Sequence, residues 1–135
     1  MSPASSDRER SVFVVLVLLF AVVAIFGQTS NFKLVAWDDP EYVTRNAHVR
    51  AGLTRESVVW AFTDTDHVNW HPLTWLSHML DIELVGENTG GHHATNVALH
   101  LANSVLVYFV FFGLTGALGR SATLALLFAI HPLHV

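Results

Sequence analysis

"NVALHLANSVLVYFVFFGLTGAL", residues 96–118, contains no Asp, Glu, Lys or Arg. A helix that crosses a bilayer needs about 20 mostly apolar residues, with a range of about 17–25. This run meets that length, yet it carries His100, Asn103 and Ser104 in its middle. An earlier run, "SVFVVLVLLFAVVAIFG" at 11–27, is also uncharged and is just long enough to span. A third, "SATLALLFAIHPLHV" at 121–135, follows Arg120 and reaches the C-terminus with no stop signal. A helix ending inside a membrane leaves its last carbonyls without partners. The expectation is therefore a piece of a longer protein.

Composition agrees with a membrane protein. Of 135 residues, 52% are apolar and 13% charged, against about 25% charged in a soluble domain. Mean hydropathy is +0.44. The net charge of −4 is small and gives no reason to expect nucleic acid. There is no cysteine, which excludes disulfides and thiolate metal sites within the chain.

The first run has a charged lead, "DRER", as a signal peptide would. The following "IFGQTS" lacks an A-x-A-like cleavage site, which favours an uncleaved anchor. Lys and Arg in short loops mark the cytoplasmic side. Arg8 and Arg10 precede the first run, and Arg120 lies between the second and third. The layout expected is a cytoplasmic tail at 1–10, a first span at 11–27, an outer loop at 28–93, a second span at 94–118 and the start of a third at 119–135.

A connection as long as 28–93 is functional or disordered. All four tryptophans, Trp37, Trp60, Trp70 and Trp75, lie in it, which argues for order at the membrane interface. Two short interfacial helices are predicted. One follows Thr54, an N-cap residue, through "RESVVWAFT". The other follows His71 with Pro72 at its first position, a favoured place for proline, and reads "PLTWLSHMLDIEL".

Two polar stripes share one spacing. His71, Thr74, His78 and Asp81 fall at i, i+3, i+7 and i+10, as do His93, Asn96, His100 and Asn103. Each set fits within a helical sector of about 80°. On the loop helix the stripe either faces water or does chemistry. In the second span polar groups face a bundle interior or a wet cavity, and either bond neighbouring helices or line a site. Nine histidines raise the question of a metal, but HExxH is absent, and the one H-x₃-H pair, His67 and His71, has no cysteine to complete a zinc-finger set. Gly90 and Gly91 form no phosphate loop.

The loop opens with "WDDPEYV", residues 37–43. Asp38 and Asp39 have two readings: a solvated Asp-Pro turn, or a carboxylate pair acting as general base on an attacking hydroxyl. Hard cations prefer oxygen ligands, which leaves a divalent cation at Asp38 and Asp39 open as a cofactor.

In order and spacing, "WDDPEYVTRNAHV", "GLTRESVVWAFT", "NWHPLTWLSHMLD", "GHHATNVALH" and "LFAIHPLHV" resemble the N-terminal region of the transmembrane and tetratricopeptide-repeat proteins. These are GT-C type O-mannosyltransferase-like membrane enzymes and bacterial relatives. The resemblance runs from about residue 32 to 135. It implies an all-α membrane protein, the N-terminal part of a multi-span GT-C helical bundle whose large outer loop carries interfacial helices. It implies a polyprenyl-phosphate-linked sugar as donor, a protein or glycan hydroxyl as acceptor, and the bacterial inner membrane or the endoplasmic reticulum as location. It assigns the acidic pair to Asp38 and Asp39. Animal members carry an arginine where this chain has His71. His93, Asn96 and His100 match the family's "H-x-x-N…H", and His131, Pro132 and His134 its "H-P-x-H". By this resemblance His71, His93, Asn96 and His100 bind donor or phosphate. The alternative function is a non-catalytic membrane scaffold whose repeat domain recruits partners.

Overall fold

The computed structural model of the chain describes residues 3–33, 40–65 and 69–132. All regular elements among them are helical: α1 (Pro3–Phe26), a 3₁₀ turn (Gly27–Asn31), a π-type turn (Pro40–Thr44), α2 (Ala47–Arg50), α3 (Arg55–Thr63), α4 (Pro72–Val85), α5 (Thr89–Thr115) and α6 (Leu118–Ile130). The chain divides into two compact units, one of residues 1–29 with 94–135 and one of residues 30–93.

The first unit holds α1, most of α5, and α6. Two stretches, Ser6–Asn31 and Thr89–Thr115, are long and apolar enough to cross a membrane. At 1.5 Å per residue, the 27 residues of α5 reach about 40 Å, more than the roughly 30 Å of hydrocarbon. Large apolar side chains cover the outside of these helices, with Phe20 75% and Leu114 76% exposed. Such an exterior suits lipid, and the protein is an all-α membrane protein. Leu18, Val22, Phe26, Tyr108, Ala125 and Ala129 form the buried cluster. Ser121, Ala125 and Ala129 recur every four residues along α6 and are all buried. Small side chains on one stripe let α1 pack closely against it.

α5 starts at Thr89, five residues before the expected span, because hydropathy marks lipid contact and not helix ends. Asn88 sits at its start, where its Oδ1 accepts the Gly91 N–H at 3.3 Å. The helix stops before Gly116, whose φ of 63° lies in the left-handed region.

The second unit is built by local caps and one aromatic core. Asn46 Oδ1 accepts from the His48 and Val49 amides at 3.0 and 3.1 Å and starts α2. Thr54 Oγ1 accepts from the Ser57 amide at 3.1 Å and starts α3. Pro72 opens α4, as its fixed φ and missing N–H favour. Val49, Ala61, Trp75 and Met79 are buried together, with Tyr42, Trp60, Leu76 and Ile82 packed around them.

Candidate functional site

Asp38, Asp39 and His134 lie outside the described residues. The π-type turn that follows the acidic pair is described from Pro40, and Tyr42 is its anchor. The Tyr42 ring stacks on His71 at 5.3 Å and on Trp75 at 5.0 Å. His71 and Trp75 stack on each other at 4.9 Å, and Trp60 joins Trp75 at 5.1 Å. His48 lies parallel to Trp60 at 4.6 Å. This stack ties the turn at Pro40–Thr44 to the first turn of α4; in sequence, Tyr42 is three residues past Asp39. Asn69 Nδ2 donates to Tyr42 Oη at 3.2 Å, and Trp70 Nε1 donates to the Phe62 carbonyl at 3.2 Å. The "NWH" stretch is thus held by its side chains on both sides.

His71 sits at the N-cap of α4 and makes no side-chain capping bond. Its Nε2 is buried and has no hydrogen-bond partner among the described residues. His93 is half-buried, and its Nε2 is buried in the same unpartnered state. Asn96 and Asn103 are exposed, and His100 is buried. The stripe of the second span is therefore divided: its histidines turn inward and its asparagines outward. His100 Nε2 donates to the Ala129 carbonyl at 2.9 Å. That carbonyl belongs to the last turn of α6, where intrahelical partners run out. Phe26 meets the His100 ring edge-on, and Phe128 stacks on it, both at 5.4 Å. His131 is exposed just past the end of α6.

One grouping escaped the sequence reading. His78, Asp81 and His92 bring together ligand atoms that all lie within 4.8 Å of one another. Asp81 is buried and His78 half-buried, so this end of the α4 stripe turns into the protein and not to water. His92 Nδ1 lies 3.3 Å from Asp81 Oδ2. His92 Nε2 lies 3.1 Å from the Gly86 carbonyl. The sequence signal was H-x-x-D, which puts His78 and Asp81 on one helical face; its third member comes from the next helix, so no linear spacing reveals it. Two imidazoles and a carboxylate are a set suited to a divalent transition metal. A cavity of about 550 Å³ beside α1 and α5 is lined mainly by Val12, Val15, Leu16, Val105, Phe109 and Phe112. It belongs to the apolar surface of the first unit and gathers none of the residues above.

No family model and no solved structure matches the chain. Among characterised proteins the chain is similar to three O-mannosyl-transferases. It is 35% identical to mouse (Mus musculus) protein O-mannosyl-transferase TMTC1 over 106 residues, 72% of this chain and 11% of that protein. With the human (Homo sapiens) TMTC1 it shares 39% over 72 residues, 53% of this chain and 8% of the relative. Human protein O-mannosyl-transferase TMTC4 is 33% identical over 140 residues, 88% of this chain and 19% of its own length. The chain thus spans between about a tenth and a fifth of the length of the relatives it matches.

Proposed function

We propose that this chain forms part of a multi-pass membrane glycosyltransferase that moves a mannose-like sugar from a polyprenyl-phosphate carrier to a hydroxyl of a protein acceptor. The observation that carries this reading is the similarity to proteins named as O-mannosyl-transferases. The match to human TMTC4, gaps included, extends over 88% of the chain and leaves 12% of 135 residues, about 16, outside it. Residues 37–103 therefore fall within the matched stretch. That stretch holds the acidic pair, the His71 turn and the stripe of the second span.

In the proposed reaction, the acceptor oxygen forms a bond to C1 of the sugar. The bond from C1 to the phosphate oxygen breaks, and its electron pair leaves with the carrier phosphate. The acceptor proton passes to Asp38 or Asp39. One carboxylate is the base, and the other orients the hydroxyl or helps hold a cation. His71, stacked on Tyr42, presents a buried ring nitrogen suited to a phosphate oxygen. His93 and Asn96 are proposed to contact the donor as well, and His100 holds the end of α6.

The acidic pair is tested in the full-length protein. Losing a general base costs about 10²–10⁴-fold in rate, and Asp→Asn keeps the shape. Asp38→Asn and Asp39→Asn are expected to fold and insert normally, while at least one loses most transfer from a polyprenyl-phosphate sugar. Parental rates in both single variants and in the double variant leave a turn, and the scaffold function takes over.

Residues 28–93 are proposed to lie on the outer or lumenal side of the bacterial inner membrane or the endoplasmic reticulum. Thr65 is exposed and the chain has no cysteine, so Thr65→Cys reports the side directly. A thiol reagent applied to the outer or lumenal face is expected to label it. Labelling only from the cytoplasmic face reverses the orientation.

A further inference from the structure

The corner between α4 and α5 is shaped by two glycines. Gly86 ends α4 with a φ of 64°, which places the chain in the left-handed region. Gly91 lies so close to Val85 that a Cβ there would collide with its side chain. The first turn of α5 can therefore lie against the end of α4, and His92 returns to the face that carries His78 and Asp81.

The Gly86 carbonyl only accepts hydrogen bonds, so the 3.1 Å contact requires the proton on His92 Nε2. In the neutral ring Nδ1 then carries a lone pair. It points to Asp81 Oδ2, another acceptor, 3.3 Å away, with the two side chains 4% and 3% exposed. The contact lacks the alignment of a hydrogen bond, and Nδ1 has no hydrogen-bond partner among the described residues. Two acceptors held this close in a buried place call for a proton or a metal ion between them.

We propose that His78, Asp81 and His92 bind a divalent transition-metal ion of the zinc class. Zinc bonds of about 2.0–2.2 Å in a tetrahedral arrangement put neighbouring ligand atoms about 3.3–3.6 Å apart. The His92–Asp81 separation has that value. The third ligand atom lies within 4.8 Å of the others, a gap that a small rotation of the half-buried His78 closes. Two imidazoles select against magnesium and calcium, which take oxygen ligands. The Gly86 carbonyl fixes the tautomer and tilt of His92, as outer partners of metal-bound histidines do. Three protein ligands leave the fourth position to water or to a substrate oxygen. The ion would tie α4 to the first turn of α5. Its ligands are residues other than Asp38 and Asp39, and binding of the ion does not depend on the transfer reaction.

Metal binding to the chain in detergent micelles tests it without any activity assay. After stripping with a chelator and loading with Zn²⁺, the chain is expected to retain about one equivalent, and Co²⁺ in its place to give the visible absorption of a tetrahedral centre. His92→Gln and Asp81→Asn are expected to weaken Zn²⁺ binding at least tenfold. His131→Ala, at an exposed histidine outside the cluster, is expected to leave it within about twofold, a surface change away from the ligands. No retained Zn²⁺ overturns the proposal. Equal loss in His131→Ala also overturns it, since binding is then adventitious. If both cluster variants fail to fold, the unaltered chain decides. Zn²⁺ but not Mg²⁺ should raise its melting temperature, because a ligand of the folded state stabilises it. The absence of that rise sinks the site.

Discussion

Around α1, α5 and α6, side-chain donors are directed at backbone carbonyls or at one another. His100 donates to Ala129, Ser104 to His100, Ser121 to Ala117 and Thr123 to Gly119, all at 2.8–3.0 Å. Ser11 and Tyr108 share a 2.8 Å bond between α1 and α5. Within residues 30–93 three imidazole nitrogens, His71 Nε2, His92 Nδ1 and His93 Nε2, are buried with no hydrogen-bond partner among the described residues. A buried polar atom left so costs about 1–3 kcal/mol. In hydrocarbon that cost rises, and the buried His100, Ser104 and Ser121 of the unit with α1, α5 and α6 are all closed internally, while Asn96 and Asn103 turn outward. The other unit keeps acceptors and donors open, as a region that binds an anion, a sugar or a metal would. The contrast is between a unit whose buried side-chain donors are used and one that keeps ring nitrogens open, which the proposed ligand-binding roles require.

The largest effect expected on this contrast comes from Trp75→Ala. Trp75 is 3% exposed and touches Tyr42, His71 and Trp60 by ring contact. Removing a buried Trp costs about 3–5 kcal/mol. Amide hydrogen exchange in micelles should then show α2, α3 and α4 losing protection while α1 and α6 keep theirs. Equal loss in α1 and α6 would mean that the two regions unfold as one and that the contrast is superficial.

How far the fold was legible follows the range of each signal. Uncharged runs marked α1 and α5 because lipid imposes a length on sequence directly. Thr54 and Pro72 marked the starts of α3 and α4 because caps act within three or four residues. α2 was not read from the sequence, because a single turn started by the Asn46 cap is too short to show a periodic face. The stack of Tyr42, His71 and Trp75 joins segments far apart in the chain, and alternation or spacing carries no trace of it. Periodicity put His78 and Asp81 on one face but not the direction of that face; α5 decides it by bringing His92 across. The stripe of the second span shows the same gap, since equal spacing placed Asn96 and Asn103 with His100 although they turn outward. The functional reading was legible mainly through resemblance, as Asp38 and Asp39 alone read equally well as a turn.

The smallest and sharpest test lies on that stripe. His100 is 3% exposed and supplies the donor for a carbonyl of the last α6 turn. His100→Leu fills similar space but leaves the Ala129 oxygen without that donor, at a cost of about 1–3 kcal/mol. His100→Gln retains a donor on a flexible side chain and should recover part of the loss. Asn103 is exposed, and Asn103→Leu should change stability by no more than about 0.5 kcal/mol, as surface changes do. Thermal unfolding in micelles of matched lipid content separates these outcomes. If Asn103→Leu is as costly as His100→Leu, the four polar positions act together, as residues lining one wet cavity would. The spanning unit would then hold open polar groups too, and the contrast would move into α5 itself. If only His100→Leu is costly and Gln restores it, the role of His100 is to hold the end of α6, and the donor-binding assignment rests on His71, His93 and Asn96.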